Sequence, residues 1–135
     1  MHKEKFIMKK ITIISIVFFA LVVLYLSMIM STNDLINYVE KVMTGEISKE
    51  KTKGTPIDRY NNENVLLNAK VDVTVNRLFV IHNFFDGYVW VKYSYVTTKN
   101  EDPREIMPAS VDVISRWKIH KKNGSWKIVE IKEAP

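Results

Sequence analysis

The spacing of apolar residues changes three times along this chain, and each change predicts a different element. From Ile11 to Met30 the chain is continuously apolar: ITIISIVFFALVVLYLSMIM holds no charge, Pro or Gly. A helix of that length rises about 30 Å, the thickness of a bilayer's hydrocarbon core. Residues 11–30 are therefore expected to form a transmembrane anchor. Beyond them, Leu35, Ile36, Val39, Val42 and Met43 recur at helical spacing and predict an amphipathic helix over 31–45. Ser31, Thr32, Asn33 and Asp34 offer N-caps, and Gly45 offers a C-terminal stop. No breaker separates the two helices, so they either run on or meet at a kink near Ser31.

Residues 46–64, EISKEKTKGTPIDRYNNEN, lose both period and apolar mass. They predict a polar linker or loop with Ile57 and Tyr60 as its anchors. From residue 65 the pattern becomes that of β-structure. In AKVDVTVNRLFVIH, residues 69–82, Val71, Val73 and Val75 alternate. The phase then moves to Leu78 and Val80, with Phe79 and Ile81 on the other side. A long strand with a bulge near Asn76-Arg77 follows. Asp86-Gly87 signals a hairpin turn. YVWVKYSYVTT, residues 88–98, then places Val89, Val91, Tyr93 and Tyr95 on one face and Tyr88, Trp90, Lys92 and Ser94 on the other. A polar connection over 99–108 leads to a third strand, 109–121, with Val111, Val113, Ser115, Trp117 and Ile119 in phase. Asn123-Gly124 is a strong hairpin signal, and Ser125–Glu133 forms the fourth strand.

The predicted fold class is α+β: an N-terminal transmembrane helix, then an amphipathic helix packed on a curved four-stranded antiparallel meander. Residues 1–10 form a basic tail, and 65–135 the sheet region, which makes one domain with 31–45. After the anchor about a hundred residues remain, enough for one core.

Charge sharpens the placement. The net charge is +5, from 20 Lys and Arg against 15 Asp and Glu. Lys3, Lys5, Lys9 and Lys10 against Glu4 supply +3 of it before the apolar run. The excess is thus mostly topogenic and gives no argument for nucleic-acid binding. Only Asp34, Glu40 and Lys41 follow the run closely, so the positive-inside rule puts the N-terminus in the cytoplasm and the domain outside. The anchor is bounded by Lys9, Lys10, Ile11 and Met30. A cleavable signal peptide is the rival reading, but the run exceeds a usual h-region and LYLSMIMST has no A-x-A site. A type IV pilin-like chain would carry a Glu early in the apolar run, and none is present. Met8-Lys9-Lys10 also resembles a start. The chain has no Cys, which excludes a lipobox, disulfides and Cys-based zinc sites. Lys-rich, Ile- and Asn-rich usage suggests a low-GC bacterial source.

The last hairpin, RWKIHKKNGSWKIVEIKE from Arg116 to Glu133, resembles the closing hairpin of the nuclear-transport-factor-2-like and cystatin-like superfamilies. FDGYVWVKYSY, Phe85 to Tyr95, resembles their preceding hairpin. The resemblance spans about Leu35 to Glu133 as a pattern and implies a fold rather than a function. The helical part is smaller than in most members, which argues against a deep enclosed pocket. The superfamily includes isomerases, dehydratases, transport adaptors and ligand-binding or scaffold domains. Its membrane-anchored versions include scaffold subunits of bacterial conjugation and secretion machines. Its enzymes use an Asp or His base with a Tyr or Asp oxyanion donor.

By that analogy Asp72, His82, Asp112 and His120 are candidate bases, with Tyr88, Tyr93 and Tyr95 as donors, and Asp72 and His82 share a nominal strand face. Nothing else in the sequence signals catalysis. There is no H-E-x-x-H, Gly-rich phosphate loop or G-x-S-x-G, and no metal or other cofactor is expected. Tyr88, Trp90 and Trp117 are the candidate ligand or partner contacts, and Arg116, Lys118, Lys121 and Lys122 the candidate contacts to anionic headgroups, wall polymers or a partner. The expected function is a non-enzymatic, single-pass extracytoplasmic binding domain. Its expected partners are the lipid bilayer and a protein or small ligand. A scaffold subunit of an envelope machine and a small enzyme with an Asp or His base are the alternatives.

Overall fold

The structure, a computed structural model, describes residues 2–61, 69–99 and 110–133, and the side chains of all of these except 69–70 and 97–99. The last residues of the expected linker and nearly all of the connection over 99–108 lie outside the described residues. The chain divides into two compact units, Met1–Ser31 and Thr32–Pro135.

The first unit is one helix, α1, His2–Ser31. Among the described residues it contains the one stretch long and apolar enough to cross a membrane. None of its residues is buried against protein. Two of its hydroxyls are satisfied along the helix itself: Thr12 Oγ1 donates to Met8 O and Ser27 Oγ to Val23 O, each at 2.9 Å. Polar side chains satisfied in this way are tolerated in lipid, where no water is available to replace the bond.

The second unit starts with α2, Asn33–Met43, whose Leu35, Ile36, Val39, Val42 and Met43 are all buried, as the stripe predicts. The expected side-chain N-cap is not made. Thr32 Oγ1 and Asn33 Oδ1 instead accept from Arg77 Nη1 at 3.1 and 2.9 Å, which ties the start of α2 to the first strand. Gly45, at φ 83°, ends the helix in the left-handed conformation that glycine accepts at least cost.

The expected linker is not loose over its described part. It forms a short helix α3, Lys49–Thr52, and a 3₁₀ helix, Pro56–Tyr60. Ile57 and Tyr60 are buried, as expected, and so are Thr52 and Asn61. Thr52 Oγ1 donates to Asp58 Oδ1 (2.8 Å), while Asn61 Nδ2 donates to Ile47 O (3.1 Å) and Thr52 Oγ1 (3.0 Å). A segment without apolar period is thus held by polar cross-links and two apolar plugs.

The strands are β1 Ala69–His82, β2 Asp86–Lys99, β3 Ser110–Lys122 and β4 Ser125–Glu133, paired antiparallel in the order β1-β2-β3-β4. The sheet is an open meander. Leu78 is the extra residue in β1, since Arg77 faces Val91 and Phe79 faces Trp90. It reverses the parity, so Val75 and Val80 both point into the core. A second bulge lies in β4: Ile119 faces Ile128, yet Lys118 faces Glu130, leaving Val129 over. That shift turns Ile131 and Glu133 toward the covered face. A third irregularity, at Asp112 (φ 51°), turns Val111 out to 63 % exposure, so Val111 does not join the Val113–Ile119 row.

Two turns close the described hairpins. Asn123 (φ 54°) and Gly124 (φ 79°) form the expected tight turn. Asp86-Gly87 is not the other. Asn83, Phe84 and Phe85 make that turn, with Asn83 Oδ1 accepting from the Phe85 and Asp86 N–H groups, and Gly87 already pairs with His82. Gly87 is needed for space: a Cβ there would overlap Ile81 O and His82 Cβ.

Candidate functional site

Side chains alternate across each strand, so register decides which residues share a surface. One sheet face is covered by α2 and the 3₁₀ helix. Its centre is Val80, Val89, Val91, Trp117 and Ile119, each at most 1 % exposed. The opposite, open face brings Phe79 and Ile81 of β1 beside Trp90 and Tyr88 of β2, and these beside Arg116 and Lys118 of β3. Arg116 and Lys118 in turn face Lys132 and Glu130 of β4.

The open face therefore has two halves. On β1 and β2, the Phe79 and Trp90 rings lie 5.5 Å apart and the Tyr88 and Trp90 rings 5.9 Å apart. Phe79, Ile81 and, on β3, Ile114 stay about half exposed, at 46 %, 51 % and 50 %. On β3 and β4, Lys118, Lys127 and Lys132 are exposed, and Lys132 Nζ lies 3.3 Å from Glu130 Oε1. Arg116 joins the halves, its guanidinium 5.1 Å from the Tyr88 ring centroid, within cation–π range. Residues in phase with Tyr88 and Trp90 across the antiparallel register were the missing part of the expected surface. Phe79 and Ile81 become part of it only because Leu78 shifts the parity.

The remaining expected contact residues fall elsewhere. Trp117 is fully buried on the covered face and does not meet Tyr88 or Trp90. Lys121 sits over the Trp126 ring, 5.2 Å from its centroid, and Lys122 is exposed where β3 ends.

The candidate bases do not converge. Asp72 is exposed and His82 buried, because the Leu78 bulge separates them onto opposite faces. His82 Nδ1 accepts from the Phe84 N–H at 3.0 Å, and its ring lies 4.7 Å from those of both Phe84 and Trp126. His120 Nδ1 lies 2.6 Å from Asp86 Oδ1, with both side chains at least half exposed. Asp112 is exposed, and its N–H donates to Ser94 Oγ at 2.8 Å. No group of three or more His, Asp and Glu among the described residues is placed to hold a metal.

The covered face holds a polar cluster that strand patterning did not foresee. Trp117 Nε1–H donates to the Tyr60 hydroxyl at 3.0 Å, and that hydroxyl shares a 2.9 Å hydrogen bond with Ser115 Oγ. Tyr93 O–H donates to Glu133 Oε2 at 2.7 Å, while Arg59 Nη2 lies 3.0 Å from Glu133 Oε1. Burial pushes the Tyr60 phenol up to about 12, against the pull of its Ser115 and Trp117 hydrogen bonds. Burial, then the bond to Glu133, pushes the Tyr93 phenol well above the usual range. Both phenols are thus held protonated. The cluster fastens the 3₁₀ helix to β2, β3 and β4.

No family model, curated protein or solved structure matches the chain.

Proposed function

We propose that this protein is a single-span, membrane-anchored binding domain, held outside the cytoplasm, whose open sheet face is its interaction surface and which is not itself a catalyst. The observation that carries the reading is the uncovered row Phe79, Ile81, Tyr88 and Trp90 beside Arg116 and the β4 lysines. A monomeric soluble surface rarely leaves such a contiguous apolar patch uncovered unless it meets something. The orientation rests on the four lysines before the apolar run. The solvent positions of Asp72 and His120 and the aromatic surroundings of His82 favour binding over acid–base chemistry. On its closing hairpin, the domain is read as a nuclear-transport-factor-2-like or cystatin-like sheet, a fold that serves scaffolds as readily as enzymes.

Site-specific photo-cross-linking in whole cells tests this. A photoreactive residue at position 90, on the open face, should give discrete adducts. The same residue at position 50, exposed on α3, should give few. Equal yields at the two positions would remove the open face as the interaction surface.

A further inference from the structure

We infer that the occupant of the open face is an anionic bilayer surface, onto which the domain docks through its aromatic half and its basic half together. The inference rests on the open face being the interaction surface and gives the class of its partner. Three observations point to lipid. First, the face pairs partly exposed aromatic residues, Phe79, Tyr88 and Trp90, with Arg116, Lys118 and Lys127 on adjoining strands. Aromatic rings favour the headgroup level of a membrane, where an apolar body and a polar rim are both satisfied. Lysine and arginine beside them complement anionic headgroups. Second, the only acid facing these cations across the β3–β4 register is Glu130, which is engaged by Lys132 at 3.3 Å, so the basic half remains net positive. Third, with the apolar helix as anchor, the lipid is tethered to the domain. The apolar run ends at Met30 and the domain starts at Thr32, so a bilayer is presented at high effective concentration and weak contacts suffice.

The chain contains no Cys, so a single Phe79→Cys substitution gives one labelling site on the open face. The full chain carrying an environment-sensitive dye there is reconstituted into vesicles of phosphatidylcholine, or of phosphatidylcholine mixed with phosphatidylglycerol. Emission should shift to the blue in the anionic vesicles and not in the zwitterionic ones. The shift should collapse near 1 M salt, where the screening length falls to about 3 Å. Adding Lys118→Ala and Lys127→Ala, both at exposed positions, should lower the docking equilibrium constant about fivefold per lysine. The same emission in both vesicle types, or an anionic shift indifferent to salt and to the two lysines, overturns lipid docking. If the shift is missing while position 90 still forms protein adducts in cells, lipid is the wrong occupant and the interaction face stands. If position 90 forms no adducts either, both readings fall.

Discussion

Replacing Tyr60 by Phe isolates the joint that holds the segment after α2 onto the sheet. The ring stays, so its edge contact with Tyr93 (centroids 5.2 Å apart) and its tilted contact with Trp117 (6.2 Å) are retained. What is lost is one hydroxyl that accepts from Trp117 Nε1–H and bonds Ser115 Oγ. Trp117 and Ser115 are 0 % and 1 % exposed, so water cannot replace the oxygen without opening the site. A typical hydrogen bond is worth about 0.5–1.5 kcal/mol, and a buried group left unsatisfied costs about 1–3 kcal/mol. The indole N–H is the clear orphan, because the Ser115 hydroxyl can turn. Tyr60→Phe should therefore cost about 2 kcal/mol, a roughly 30-fold rise in the unfolded fraction. For a domain of about a hundred residues, that lowers Tm by about 10 °C. Ser115→Ala should cost less, since Tyr60 still accepts from Trp117. The assay is urea denaturation of the full chain in mild detergent, followed by tryptophan fluorescence. A Tyr60→Phe value within about 0.5 kcal/mol of the parent, the range of an ordinary surface change, refutes the reasoning. So does a larger cost for Ser115→Ala.

Two further outcomes follow from the same interior. The raised Tyr60 phenol makes the fold sensitive to alkali. The unfolded chain loses this proton from about pH 10 and the folded chain only near 12, so in that window the native state binds more protons and stability falls as pH rises. The loss approaches about 3 kcal/mol once both forms are ionised. Tyr60→Phe should lessen that slope, leaving the share due to the raised Tyr93 phenol, and an unchanged alkaline slope counts against the buried Tyr60 phenol. Gly87→Ala should cost more than about 3 kcal/mol, because the added methyl meets the backbone of Ile81 and the Cβ of His82 rather than a flexible tip. Near-parental urea stability for that variant would show that β1 and β2 do not approach as described.

The elements themselves were legible because their periods are strong. The stripe Leu35–Met43 and the alternations around Val73, Val91 and Trp117 fix a helix and three strands, and Asn123-Gly124 leaves little choice of turn. Parity was harder. Leu78 announces its bulge, since the apolar phase visibly changes across Arg77. Val129 does not, because Ile128, Val129 and Ile131 supply apolar residues in both phases. Glu133 then reaches the covered face without any local signal. Val111 reads as core by alternation until Asp112 adopts a positive φ. The packing of residues 46–61 was legible only at Ile57 and Tyr60, since polar cross-links such as Thr52–Asp58 and Asn61–Ile47 leave no periodic trace. For the candidate surface, Tyr88 and Trp90 stand out by residue type and Arg116 and Lys118 by their charge on the last hairpin, and only the strand register brings the two sets onto one face. Trp117 shares only its residue type with Tyr88 and Trp90, and its own phase, with Val113 and Ile119, already places it in the core.

The proposed placement of the domain outside the cytoplasm, held by one apolar helix, is tested most directly by thiol accessibility in intact cells. In this Cys-free chain, a lone cysteine can be placed at Lys3, before the apolar run, or at Glu50, exposed on α3. A membrane-impermeant maleimide should label Glu50→Cys in intact cells and Lys3→Cys only after permeabilisation. Labelling of Lys3→Cys with protection of Glu50→Cys would contradict the account.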